Sequence, residues 1–121
     1  MTRHAEVDRF LPLKPVHFLI LVSLLEEDRY GYALVKDIEH RTDGGTRLEG
    51  GNLYRFIRKL LTQGLVTEAG ERAVDETDER RIYYTLTVLG RSVVKAETVR
   101  MKGLVRQVER GGRFGRVGGR A

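Results

Sequence analysis

Hydrophobic residues in the first half of the chain fall at helical spacing. One helix begins at Pro15, a residue that a first helical turn tolerates, and stays apolar nearly all round to about Leu25. The next helix, over 31–41, carries Leu34 and Ile38 on one stripe while its charged residues face outward. The pattern therefore predicts a buried central helix with an amphipathic helix beside it.

A third helix has the clearest division between an apolar and a basic face. It begins at 50–52 and ends before Gly64, and its core-facing residues follow the i, i+4, i+7, i+8 spacing: Leu53, Ile57, Leu60 and Leu61. The opposite face carries Arg55, Arg58 and Lys59, and the helix contains no acidic residue. Such a face is either simply solvated or a contact surface for a polyanion.

After the third helix the period of the hydrophobic residues changes to two. Residues 65–68 predict a short strand and 81–86 a stronger one, with a polar and mobile segment over 69–80 between them. Thr87 can cap a long helix that runs to about Glu109, because its hydroxyl can accept a first-turn N–H. The fold class predicted from this order is mainly α with a small β-hairpin, the layout of a winged helix-turn-helix followed by a long C-terminal helix.

This layout divides the 121 residues into one folded domain with extensions. The parts are an N-terminal arm (1–12), a winged-helix domain (13–87), a C-terminal helix (88–110) and a basic Gly/Arg tail (111–121). The net charge is +5, and most of it comes from four arginines at and after Arg110. We expect the tail to be disordered, since it cannot bury a core. It suits a solubilising end, a sequence-tolerant nucleic-acid arm or a remnant of cloning.

Composition excludes several classes of protein. The absence of cysteine rules out disulfide frameworks, zinc ribbons and thiol catalysis. The longest apolar stretch, 16–25, is too short to span a bilayer, and no signal-peptide pattern precedes it, so we expect a soluble, cytoplasmic protein. His4, His17 and His40 lack metal-ligand spacing, and no phosphate-binding loop or nucleophile motif is present. We therefore expect no enzyme activity, catalytic residue, metal or cofactor.

Several short stretches form a set over about residues 16–91: Tyr30-Gly31-Tyr32-Ala33-Leu34, Gly51-Asn52-Leu53-Tyr54, Gly64-Leu65-Val66, Arg80-Arg81-Ile82-Tyr83-Tyr84-Thr85-Leu86-Thr87 and Gly90-Arg91. In their order and spacing these stretches resemble the PadR family of transcriptional regulators. The resemblance implies a winged-helix DNA-binding domain, a C-terminal dimerisation helix and, usually, repression of transcription. It also implies a small-molecule effector as a candidate partner, since responsive members often hold one at or near the dimer interface.

The chain departs from the family at the start of the third helix. The family commonly has proline just before the glycine matched by Gly51 and just after the tyrosine matched by Tyr54. Here those positions hold Gly50 and Arg55. The departure makes the first turn of this helix less fixed, and it adds a hydrogen-bond donor at the end expected to face DNA.

On this interpretation the third helix contacts double-stranded DNA through five side chains. Arg55 and Arg58 can form bidentate bonds to guanine, and Lys59 suits a phosphate. Asn52 either caps the helix or bonds a phosphate. Tyr54 packs in the core, reaches the DNA backbone with its hydroxyl, or does both.

The hairpin carries charges of both signs. Its tip, 71–79, holds five acids against one arginine, so its net charge of −4 is repelled by phosphate. Arg80 and Arg81 are expected at the base of the second strand, where they can touch the DNA backbone. The sequence therefore predicts that the base of the hairpin contacts DNA while the acidic tip points away.

The long helix carries an apolar seam. Val94, Met101 and Val108 follow at seven-residue steps, with Val105 and Leu104 beside them. The alternative is a helix that packs only within its own chain, but about three turns extend beyond what so small a domain covers. We expect a homodimer, whose two-fold axis would require a roughly palindromic operator.

Two functions from different classes remain open at this point. One is a dimeric, sequence-specific DNA-binding regulator, and the other is a winged-helix adaptor that binds a protein instead of DNA. Strong salt dependence and a preferred sequence would favour the regulator, whereas no affinity for duplex DNA at low salt would favour the adaptor.

Overall fold

The computed structural model of the chain describes residues 3–112, with side chains from residue 5 onward. This range forms helices α1 (Arg3–Asp8), α2 (Pro15–Glu26), α3 (Gly31–Arg41), α4 (Gly50–Thr62) and α5 (Val88–Gly111), and strands β1 (Arg29–Tyr30), β2 (Val66–Ala73) and β3 (Arg80–Leu86). The predicted mainly α fold with a small β-hairpin is confirmed. Residues 1–2 of the predicted arm and 113–121 of the predicted tail lie outside the described range.

Helix α2 lies at the centre of the fold, as its apolar sequence predicts. Ile20, Leu21 and Leu24 are almost completely buried in one hydrophobic core with residues from α3, α4, α5 and β3. A buried hydroxyl on the same helix, Ser23, donates a hydrogen bond of 2.6 Å to Asp37 of α3, so the polar group inside the core has a partner.

The arm contains a helix that the sequence analysis did not predict. Helix α1 packs on α5, and its Val7 is buried in the core. Six residues are too few to show a helical period, so the pattern of the sequence could not reveal α1. After it, the backbone N–H of Leu13 donates to the Glu97 carboxylate at 2.8 Å, which fixes the connection to α2 on helix α5.

The hairpin is longer than predicted. Strands β2 and β3 pair antiparallel from Val66–Leu86 to Ala73–Arg80, with an irregularity next to Gly70, whose φ is +93°. Half of the segment expected as a mobile loop is therefore strand, and a six-residue turn over 74–79 joins the two strands. Nearly all of its residues are exposed, so backbone pairing without hydrophobic alternation holds this part together.

A two-residue strand, β1, completes the sheet, whose order is β1-β3-β2. Its register pairs Arg29 with Tyr84 and Tyr30 with Tyr83. The strand lies directly before α3, so it ties the start of that helix to the hairpin. Two residues cannot show alternation, and for this reason the sequence analysis missed β1.

Helix α5 has two halves with different surroundings. Thr87 caps it as predicted, with its hydroxyl oxygen accepting from the Gly90 N–H at 2.9 Å. The first half packs on the core, whereas the second half is largely exposed. Within residues 3–112, none of the helices combines the length and the apolar character that crossing a membrane requires.

Candidate nucleic-acid interface

Helix α4 divides its residues cleanly between core and solvent. Leu53, Ile57 and Leu60 are buried, which anchors the helix along one stripe. All five side chains singled out on this helix are exposed: Asn52, Tyr54, Arg55, Arg58 and Lys59. The fold therefore places them together on one outward surface, which we call the α4 face.

Asn52 does not cap the helix. The N-cap position is Glu49, without a side-chain cap bond, and Asn52 lies inside the first turn. Its Oδ1 accepts a hydrogen bond of 3.0 Å from the guanidinium of Arg55, which leaves the Asn52 amide nitrogen free to donate outward. Of the two roles expected for Asn52, the structure excludes the helix cap, and the phosphate contact stays a prediction.

Arg58 and Lys59 carry unneutralised charge. Among the described residues neither forms an ion pair, and the same holds for Arg55. The charge of Lys59 also acts on the core: burial, joined by the positive charges of Lys14 and Lys59, lowers the pKa of His17. The α4 face thus presents cations that form no ion pair with a carboxylate of the described residues.

The hairpin arginines lie elsewhere than predicted. Strand β3 begins at Arg80 directly after the turn, so Arg80 and Arg81 lie at the turn end of the hairpin and not at its base. Arg80 pairs with Glu71 at 3.4 Å, and Arg81 pairs with Glu79. Each arginine therefore has an acid of the tip as its ion-pair partner.

Tyr54 links the α4 face to the hairpin. It is 46% exposed, so it is not a core residue, and its ring lies over the first residue of α3, where a Cβ on Gly31 would come within 2.6 Å of the hydroxyl. A depression of about 320 Å³ is lined by Tyr54 together with Arg80 and Arg81. The structure thus brings these three predicted residues together, while Arg58 and Lys59 lie further along α4.

The residues predicted for a dimer seam divide into two groups. Val94 is only 5% exposed and packs into the core of its own chain, so the expectation of an intermolecular contact there is wrong for this conformation. The reason is that the first turns of α5 lie directly on α2 and β3. Leu104, Val105 and Val108 are exposed, and Met101 is half-buried.

Two concave apolar surfaces border α5, and the sequence analysis did not identify them. One, of about 630 Å³, lies between α1 and α5 and is lined by apolar side chains that include Val7, Leu11 and Val99. The other, of about 340 Å³, lies where Phe18 of α2 meets Met101 and Val105. Neither could be found from a heptad pattern, because each depends on a second helix.

The described residues contain no group of three or more His, Asp or Glu side chains placed to hold a metal ion. The buried carboxylate of Glu97 is taken up by Leu13 and Arg100, and that of Asp37 by Ser23 and Arg41. Both groups have structural partners, so neither is a free acid or base.

Comparison with known proteins gives a consistent result. The model of the PadR-like family of transcriptional regulators matches residues 20–96. An uncharacterized protein of Lysinibacillus sphaericus is 32% identical over 74 residues, which cover 61% of this chain and 66%, just under two thirds, of that relative.

Solved structures have the same architecture. A PadR family transcription regulator from Clostridium difficile is 21% identical, with a TM-score of 0.67 over 80% of this chain and 97% of that one. Bacillus subtilis PadR in complex with operator DNA is 19% identical, with a TM-score of 0.57 over 69% of this chain and 46% of that one. These similarities confirm the predicted winged helix-turn-helix fold.

Proposed function

This chain belongs to the PadR-like family of transcriptional regulators, and we propose that it acts by binding duplex DNA through helix α4 and the hairpin. The observation that carries the proposal is the α4 face, where Arg55, Arg58 and Lys59 are exposed on an acid-free helix and form no ion pair within residues 5–112. The similar fold of Bacillus subtilis PadR, whose structure was solved in complex with operator DNA, supports the proposal.

On this proposal α4 enters the major groove and reads bases. Arg58 has its guanidinium free for a bidentate contact with guanine, whereas Arg55 brings the Asn52 amide with it as a paired donor set. Lys59 meets a phosphate, because a point charge suits backbone contact. Arg80 and Arg81 touch the backbone only when a phosphate replaces their carboxylate partners.

We further propose a homodimer built on the second half of α5. Leu104, Val105 and Val108 form an apolar surface whose exposure to water is unfavourable, and a second copy of the chain would cover it. Two α4 helices related by a two-fold axis would read half-sites about one helical turn apart. A dimer bound to such an operator would repress transcription by excluding the transcription machinery. A DNA-binding role also implies that the protein acts in the cytoplasm, where its DNA is, and needs no catalytic activity.

A small, mainly apolar molecule is the effector that fits this arrangement. The concave surface between α1 and α5 has a volume of about 630 Å³, within the range of small-molecule sites, and its lining is mostly apolar. It lies along residues 92–100 of α5, the helix that carries the proposed dimer surface, so an occupant that shifts α5 would change how two copies pack. An effector that favours one packing over the other would shift DNA affinity.

The decisive experiment selects sequences from a random duplex library at about physiological salt. We expect an enriched inverted repeat. The variant Arg58→Ala should then lose about 1–3 kcal/mol on that operator, and less on unrelated duplex, because it removes a base contact. Arg91→Ala, which removes an exposed arginine of α5, serves as the control.

Other outcomes would overturn parts of the proposal. Equal losses on operator and unrelated duplex would reduce Arg58 to a phosphate contact. A folded protein with no affinity for duplex DNA at low salt would replace the regulator with the winged-helix adaptor.

A further inference from the structure

One ion pair ties the hairpin to the rest of the fold. Arg72 of β2 donates from Nη2 to Oδ2 of Asp28 at 2.7 Å, and Asp28 lies in the connection between α2 and β1. Among the side-chain hydrogen bonds and ion pairs of residues 5–112, this bridge alone joins residues 69–82 to an element outside the hairpin. The sequence analysis gave Asp28 no role.

The bridge lies beside the irregular part of the hairpin. The register of β2 and β3 shifts between Glu68 and Glu71, next to Gly70 with its φ of +93°. The same Nη2 of Arg72 also donates to the carbonyl of Ala69 at 3.1 Å, so one guanidinium holds both the irregular backbone and Asp28. Because irregularities of this kind bend and twist a strand, a contact that spans one sets the direction of the strand beyond it.

The part of the hairpin beyond the irregularity, residues 71–82, which we call the outer hairpin, needs such a support. Its strand residues 71–73 and 80–82 are all exposed. A two-stranded ribbon without a hydrophobic face is at best marginally stable in water. The Arg72 guanidinium lies 4.8 Å from the centre of the Tyr83 ring, and that ring lies 5.4 Å from the Tyr30 ring of β1. Arg72 therefore anchors the outer hairpin to the sheet as well as to Asp28.

Charges in the hairpin divide between the body of the fold and the tip. Arg72 and Arg81 are direct partners across the ladder, a position at which like charges repel. Asp28 pairs with Arg72, and Glu79 of the tip pairs with Arg81. Hydrogen bonds from Thr85 and Arg72 keep the pKa of Asp28 below its ordinary 3.8, so its carboxylate is charged at neutral pH. Arg72 is thus held by the body of the fold, whereas Arg81 is held only by the tip.

We propose that Asp28 and Arg72 are positioning residues for DNA binding: their bridge fixes the outer hairpin at the angle that brings Arg80 and Arg81 to the DNA backbone. The inference rests on the proposed function, and it adds a pair of residues that act without touching DNA themselves. Since the bridge exists in the free protein, the hairpin is ordered before the DNA arrives, and binding does not have to supply that ordering.

Two substitutions with opposite changes of charge test the proposal. Asp28→Ala makes the protein more positive and Arg72→Met makes it less so, and electrostatics alone predicts tighter DNA binding for the first and weaker binding for the second. Positioning predicts that both weaken operator binding about 3- to 10-fold, because hydrogen bonds from the outer hairpin to phosphate are weakened. The double variant should bind no more weakly than either single one, because both break the same bridge. Glu27→Ala is the control, since this exposed neighbour pairs with Arg29 and not with the hairpin.

Two further readouts separate positioning from a general loss of folding. Arg81→Gln should weaken operator binding in the parent protein and much less in the Asp28→Ala background, where the hairpin no longer delivers Arg81. In the free protein, amide hydrogen exchange over 71–82 should be faster in Asp28→Ala than in the parent, while exchange in α2 and α4 should be unchanged.

Several results would overturn the inference. Tighter operator binding by Asp28→Ala would mean that the released Arg72 contacts DNA itself. Unchanged exchange over 71–82 would show that the bridge does not hold the hairpin, and an equal effect of Arg81→Gln in both backgrounds would show that it does not position Arg81. If the parent protein does not bind duplex at all, the proposed function fails, while the exchange measurement still tests the bridge, so the two failures are distinguished.

Discussion

Replacement of Glu97 should destabilise the fold more than that of any other carboxylate of α5. Glu97 is only 1% exposed, and its Oε2 accepts from the backbone N–H of Leu13 at 2.8 Å. In Glu97→Ala that part-buried N–H loses its partner, which costs about 1–3 kcal/mol. The vacated space adds about 1–2 kcal/mol, while the bond to Arg100 at the surface adds little, because solvent screens it.

The expected total is therefore about 2–5 kcal/mol, a large share of the stability of a small domain. Urea denaturation measures it directly, and at roughly 4 °C per kcal/mol the midpoint of thermal unfolding should fall by about 8–20 °C. Glu97→Gln keeps an oxygen for the Leu13 N–H and should lose only about 1 kcal/mol. Glu109→Gln, an exposed glutamate on the same helix, is the matched control.

Acidity provides an independent check. The hydrogen bond from Arg100, supported by that from the Leu13 N–H, lowers the pKa of Glu97 below its ordinary 4.5 despite burial. Between the folded and unfolded pKa values the unfolded chain binds more protons, so this stabilisation is complete above 4.5 and is lost as pH falls through the folded pKa. The stability difference between parent and Glu97→Gln should shrink from pH 7 to about pH 3. A constant difference, or a cost of Glu97→Ala below about 1 kcal/mol, would refute the argument.

Two further predictions concern α5. Gly90→Ala should destabilise the fold by about 1–3 kcal/mol in thermal unfolding, because the new Cβ would lie 2.1 Å from the Leu65 carbonyl oxygen. At Gly103 a Cβ meets nothing within 4 Å, so Gly103→Ala should stabilise the fold by about 1 kcal/mol. If both variants change the stability in the same direction, the packing described for Gly90 is contradicted. Val105→Glu should give monomers in sedimentation while Gln107→Glu does not, because Val105 is 54% exposed on the proposed dimer surface; a surviving dimer would place the interface elsewhere.

The sequence was informative wherever an element is long enough to repeat its period. The ranges of α2, α3 and α4 and the Thr87 cap follow from spacing and residue type. The short elements α1 and β1 offer no period, and the hairpin has polar residues on both faces, so its strands depend on backbone pairing that hydropathy does not reveal.

The candidate site shows the same limit at the level of side chains. Exposure of the α4 face follows from the helical period alone. The partners of Arg80 and Arg81 depend on the turn that brings Glu71 and Glu79 to the same end of the hairpin, a tertiary fact. Burial of Val94 likewise depends on how α5 packs on the core, because a seven-residue spacing of apolar residues is compatible with a partner in the same chain or in a second chain.

Within residues 5–112 Lys59 has no ion-pair partner whereas Arg81 has one, so the two residues should affect different rates of DNA binding, association and dissociation. Lys59 is an unpaired charge whose field extends outward, whereas Arg81 and Glu79 form a close pair whose field falls off quickly. In rapid-mixing measurements at low salt, Lys59→Ala should therefore reduce the association rate. The double variant Arg81→Gln/Glu79→Gln removes both charges of the pair and leaves the net charge unchanged, so it should leave association nearly unchanged. It should raise the dissociation rate, since the Arg81 contact forms only when a phosphate displaces Glu79. If the double variant slows association as much as Lys59→Ala does, Arg81 is already free before the DNA arrives, and the pairing seen in the hairpin plays no part in binding.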